Sequence, residues 1–218
     1  MLSETRIGNQ RLAAACGLIG AVLLVAYFGA PAFLGWPFAG ASAARIAAYA
    51  TSHAALFYGG AWLQGTGTLL CVVFFLSLVQ AAGAVERMAG LVVVVAGAAL
   101  LALVLVEGAV MVAVPISAAS GDMATVATTF ALSNGVFVRV FPIAPSSAAY
   151  LALGAVLWPS HVLPRGFAYA ALAIGGAFEL GGIAAIFAGG AAIALAALAA
   201  VQVLWIVTAA AWLWRQAA

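Results

Sequence analysis

Two glutamates stand where acids are costly: Glu107 in the apolar run VLVEGAV and Glu179 in GGAFELGG. An ionisable side chain in hydrocarbon is expensive, and persists where it pairs, lines a cavity or does chemistry. A carboxyl taken out of water favours its neutral form, so such a group can hold a proton at neutral pH and donate it. Other polar residues fall at comparable positions along the apolar runs: Gln64, Thr66, Ser146, Ser147 and Arg139. With the nearby aromatic and rim residues Tyr58, Trp62 and His53 they would form an acid/base pocket for a lipophilic molecule. Glu107 and Glu179 would be its proton donor and acceptor, and aromatic faces would stabilise a cation. Proton-initiated cyclisation of an isoprenoid uses that equipment.

Each of these residues also has a structural reading. A buried glutamate can be protonated, or paired with Arg139, simply to hold helices together. Arg139 also suits an interfacial anchor, and Gln64 and Thr66 suit hydrogen bonds between helices. Trp36, Phe38, Phe57, Tyr58 and Trp62 also suit an aromatic belt, with His53 at the rim. Neither histidine has a second ligand spaced beside it, so no metal and no cofactor is expected. Cys16 and Cys71 read as small apolar packing residues.

The elements that must position these groups follow from composition. The chain has 218 residues, 68% of them hydrophobic and 6% charged. A soluble domain carries about a quarter charged residues, so lipid must solvate most of this surface. Seven arginines and no lysine face five acids, which excludes a basic face for nucleic acid. A span needs about 20 apolar residues. The expected class is an all-α integral membrane protein with a single transmembrane domain over residues 1–218. Six spans are expected at about 12–34, 56–79, 89–114, 137–158, 166–187 and 191–214. Pro115 is expected to end the third, and Gly189-Gly190 to make the last turn.

Two short interfacial helices complete the pattern. In the first, Arg45, Tyr49 and Ser52 share one face, with Ile46, Ala47 and Ala50 on another. The second runs from Met123 to Leu132 with Asp122 as N-cap. YATSH (Tyr49 to His53) and FALSN (Phe130 to Asn134) lie 81 residues apart, each ending an interfacial helix, which suggests duplicated hairpins. Six spans put Arg6, Arg11, Arg87, Arg165 and Arg215 on one side and Arg45 and Arg139 on the other. The excess predicts cytoplasmic termini. Glu107 lies eight residues before Pro115 and Glu179 eight before Phe187, so both are expected about 12 Å below the outer boundary.

The turn VLPRGFA (Val162 to Ala168) leading into ALAIGGAF, the opening RLAAACGLIGAVLLVAYF after Gln10, and the EGAV tetrad at Glu107 resemble a bacterial membrane family. That family is domain of unknown function 4386, small multispanning proteins of similar length. The resemblance implies a helical bundle with Glu107 as a shared feature, and it brings no reaction with it. Small bacterial membrane-integral terpene cyclases are similar in size and in having buried acids. Three functions are therefore expected to compete. One is a membrane-embedded enzyme acting on a lipophilic substrate such as an isoprenoid. The second is a scaffold that packs against lipid or a membrane protein partner, and the third a small proton-coupled transporter.

Overall fold

Inside hydrocarbon every backbone N–H and C=O must bond within its own segment, so long apolar runs become helices. The computed structural model describes residues 2–37, 40–187 and 191–217, and among them every regular element is helical. The elements are α1 (Leu2–Phe33), α2 (Ala43–Ser52), α3 (Ala54–Ala81), α4 (Met88–Ser120) and α5 (Met123–Gly135). Two wide π turns, Val136–Val140 and Pro142–Ser146, then lead to α6 (Ser147–Leu157), α7 (Arg165–Phe187) and α8 (Ala191–Gln216). Five described helices are long and apolar enough to cross a membrane. The remaining crossing is broken, assembled from the π turns and α6. The chain is an all-α, multi-pass membrane protein.

The six crossings close into a ring. In order around it, α1 packs on α3, α3 on α4, α4 on α6, α6 on α7, α7 on α8, and α8 back on α1. Small residues set the closest approaches. A Cβ on Gly20 would meet the Gly67 carbonyl oxygen at 2.8 Å, and one on Gly175 would meet the Leu151 nitrogen at 2.7 Å. Arg11 on α1 donates to the Ala217 carbonyl 2.9 Å away, so the two chain ends lie together at one end of the ring. The opposite end is capped by α2 and α5.

The cap exists because α4 is long. Its 33 residues span about 50 Å, more than the roughly 30 Å of a hydrocarbon core. The expected stop at Pro115 is not what the structure has: α4 runs through that buried proline to Ser120. A proline removes one ladder bond, but packing by α2 and α5 holds the helix on either side of it. The true stop is Gly121, left-handed at φ 77°, with Asp122 N–H returning to the Ser117 carbonyl at 3.0 Å. Asp122 then caps α5 as expected, accepting from Thr125 N–H at 3.1 Å and from its hydroxyl at 2.6 Å. The Thr125 bonds hold the exposed Asp122 carboxyl below the usual carboxylate range.

The α2 face of Ile46, Ala47 and Ala50 is buried, as its pattern predicts. These three form one small core with Phe57, Met111, Val114, Val126 and Phe130. Tyr49 and Phe130, the first residues of the two similar pentapeptides, both lie against Trp36, at ring distances of 5.8 and 6.1 Å. α1–α2–α3 and α4–α5–α6 share a layout of long helix, cap helix and return. They differ at the return: the first breaks at His53, the second runs on through the π turns. Phe38 and the Gly189-Gly190 turn lie outside the described residues.

Candidate functional site

Glu107 is buried in α4, 3% exposed, and faces the neighbouring helices, not lipid. Ser133, near the end of α5, donates its hydroxyl to one carboxyl oxygen at 2.5 Å. The Gln64 side chain on α3 reaches the same carboxyl. The second carboxyl oxygen, Oε2, is buried without a hydrogen-bond partner. Gly108, next in sequence, lets α3 approach: its Cβ would sit 3.4 Å from that of Ala61. Three helices thus converge on one acid.

Above it opens a cleft of about 400 Å³ between α1, α3, α4 and the α5–π junction. Tyr27, Phe28, Trp36 and Phe137 supply aromatic walls, and Gly59 and Gly60 of α3 flatten the side between them. Phe28 and Phe137 lie 5.9 Å apart, bridging α1 to the first π turn. Glu107, Ser133 and Asn134 add polar side chains to the cleft beside Tyr27 and Trp36. Its shape suits an apolar body with one hydrogen-bonding end, the usual composition of a small-molecule site.

Glu179 belongs to a different place. Ser147, the first residue of α6, donates to it at 2.6 Å across the α6–α7 contact. One turn before Glu179, Gly175 lies against the Ser147 carbonyl and the Leu151 backbone, which brings the serine into reach. Glu179 lines none of the cavities that Glu107 lines. The serines holding the two acids are fourteen residues apart on one broken helix, up to about 20 Å of rise. The expected single pocket with two carboxylates is not formed. Glu107 is held by Ser133 near the end of the cap helix α5, while Glu179 is held by Ser147 at the start of α6.

The other expected residues divide in the same way. Gln64 joins Glu107, and Ser146 is buried in the ring interior with no hydrogen-bond partner for its hydroxyl. Arg139 is exposed in the first π turn, and among the described residues neither glutamate has an ion-pair partner. Trp62 and Tyr58 are 61% and 45% exposed on the outside of α3, where they suit a belt in lipid. Thr66 is part-buried and does not border the cleft. His53 stacks on Tyr49 at 4.4 Å where α2 meets α3.

Sequence reasoning missed Ser133, Asn134, Tyr27 and Phe137. Assigning 123–132 to an interfacial helix put the following serine and asparagine outside the membrane. A signal was available in SNG, three small or polar residues directly before an apolar segment.

Chemically, a buried carboxyl with one hydroxyl donor and one free oxygen can give a proton to a bound molecule or accept one from it. Aromatic walls beside it can stabilise positive charge that forms there. The chain matches no family model, no curated protein and no solved structure.

Proposed function

We propose that the protein takes a lipophilic molecule from the membrane into the cleft above Glu107 and that this single carboxyl is its acid/base group. One observation carries the reading: a buried glutamate with a partnerless oxygen borders an aromatic cleft of about 400 Å³. Its chemistry is protonation or deprotonation of an apolar substrate, as in proton-initiated isoprenoid cyclisation, with Tyr27, Phe28, Trp36 and Phe137 flanking the charge. Glu179 stands outside this reading, as a helix-pairing residue. The arginine distribution supports cytoplasmic termini, which turns the cap and the cleft to the outer side, and the family resemblance suggests a bacterial inner membrane.

The test uses the protein in lipid nanodiscs and a brominated long-chain alcohol, whose bromine quenches Trp36 at the cleft wall. Subtracting a Trp36→Phe sample isolates that tryptophan. Saturable quenching is expected in the wild type. Gly59→Leu should abolish it, because a Cβ at Gly59 has nothing within 4 Å and the larger side chain fills the cleft without a clash. Glu107→Gln should weaken binding or abolish turnover of any substrate found, while Glu179→Gln should do neither. Quenching that never saturates, or that is the same in Gly59→Leu, would sink the proposal.

A scaffold reading has its own observation. Both glutamates accept a serine hydroxyl across a helix contact, which is how polar groups bind helices in lipid.

A further inference from the structure

The ring of helices encloses a second, separate void. It has a volume of about 30 Å³ and lies between α1, α3, α4, α6 and α8. Its wall carries Gln64, Thr68, Ser146, Tyr150 and Gln202, all at most 6% exposed. Five polar side chains from four elements meet there; the other buried polar side chains among the described residues, Glu107, Ser133 and Ser147, are those of the two glutamate–serine pairs. Three of them have a buried atom with no hydrogen-bond partner: Gln64 Oε1, Ser146 Oγ and Tyr150 OH. Leaving a buried polar atom unpaired costs about as much as a hydrogen bond contributes, and native structures rarely tolerate one. Three around one void point to a shared guest.

We infer that this chamber is an internal hydration site, holding one or two ordered waters bound by Gln64, Ser146 and Tyr150. Size and chemistry select water. A single water takes about 30 Å³ of liquid volume, and a buried one makes about three hydrogen bonds. A metal ion does not fit, because every polar group on the wall is neutral and an uncompensated charge there would be strongly disfavoured. An apolar guest would leave the three atoms unpaired.

The site reaches Glu107 through Gln64. That side chain borders both the chamber and a smaller void, about 10 Å³, which also touches Glu107. A water donating to Gln64 Oε1 fixes which way the amide faces and turns its N–H₂ toward the carboxyl. Gln64 is thus a positioning residue, and the chamber tunes Glu107 from behind while the cleft in front holds lipid. Hydration of the chamber does not depend on the cleft's ligand, so the two proposals fail separately.

Tyr150→Phe and Ser146→Ala decide it by sign. If each hydroxyl binds a shared water, either change lowers Tm by about 2–4 °C, the shift one lost hydrogen bond gives in a chain of this length. The double variant should lose less than the sum, because both bonds go to one guest. If the hydroxyls have no partner, removing them leaves Tm unchanged or raises it, and the inference falls. High-resolution density in the wild type gives a second reading. A peak within hydrogen-bond distance of Ser146 Oγ and Tyr150 OH supports the site, and a flat map there overturns it. The link to Glu107 has its own readout, the infrared carboxyl band that disappears in Glu107→Gln. That band should shift in Tyr150→Phe although Tyr150 does not touch Glu107; an unmoved band removes the link.

Discussion

Whether Glu107 is kept for stability or for chemistry can be decided by a cycle with Ser133. The carboxyl has one short hydrogen bond, from Ser133, and a second oxygen without a partner. Ser133→Ala removes the first and leaves the buried acid only the Gln64 side chain. A hydrogen bond between membrane helices contributes about 0.6 kcal/mol on average and about 1.7 at most, while a stranded buried polar group costs about 1–3 kcal/mol. The single change should therefore cost about 1–2 kcal/mol. Glu107→Leu removes the polar group altogether and puts an apolar side chain at the floor of an apolar cleft. Only replacing both partners of a buried hydrogen bond by apolar groups is nearly neutral, so Glu107→Leu alone, which leaves the buried Ser133 hydroxyl unpaired, should itself cost about 1–2 kcal/mol. In the Glu107→Leu background, Ser133→Ala should then cost nothing or restore stability, leaving a coupling of about 1–2 kcal/mol or more. Reversible unfolding in mixed micelles by added SDS measures all four corners. A Glu107→Leu variant that unfolds more easily by over about 2 kcal/mol, with no coupling to Ser133, would refute the reasoning. The carboxyl would then be a structural clasp, and the functional reading would lose its premise.

Two adjacent glycines should respond with opposite sign. Gly175→Ala places a Cβ 2.7 Å from the Leu151 nitrogen and should destabilise by about 1–3 kcal/mol, parting Ser147 from Glu179. Gly176→Ala meets nothing within 4 Å and should stabilise by up to about 1 kcal/mol, both read by the same unfolding assay. At the cap, the Asp122 carboxyl is held below the usual carboxylate range by Thr125. Its contribution to α5 is thus complete above that range and fades as pH falls through the lowered value. Protection of the first-turn α5 amides, taken relative to the intrinsic exchange rate at each pH, should fall over that interval, and in Asp122→Ala it should be low at every pH.

The all-α membrane class was legible because lipid imposes one requirement, a long apolar run, that a sequence displays directly. The face of α2 and the Asp122 cap were legible because they depend on neighbours within one helical turn. Pro115 misled for the opposite reason: whether a proline ends a helix depends on what packs beside it, here two cap helices far along the chain. The partner of Glu107 was hidden in the same way. Depth counted from Pro115 placed Glu107 level with Glu179, but what each acid meets is set by its partner serine, and the two serines lie fourteen residues apart across the π turns. Gln64 and Ser146 could be picked out as polar residues in apolar runs. That they look into adjoining voids depends on how the ring closes, which no local pattern states.

The break in the fourth crossing explains why the polar groups divide as they do. On a regular α-helix, residues fourteen apart face within about 40° of one another, so Ser133 and Ser147 would point at the same neighbour. Each π turn closes on an i+5 bond, here Phe141 N–H to the Val136 carbonyl and Ser146 N–H to the Phe141 carbonyl. It takes in one extra residue and rotates the helix beyond it by about 100°. Two such turns swing Ser147 to roughly 120° from Ser133. One serine then meets α4 and the other meets α7, the two helices this crossing must touch for the ring to close. The same rotation buries Ser146 and Tyr150 in the chamber and leaves Phe137 to face the cleft. The prolines that disrupt the helix are thus what let one length of chain serve the cleft, the chamber and the α7 contact at once.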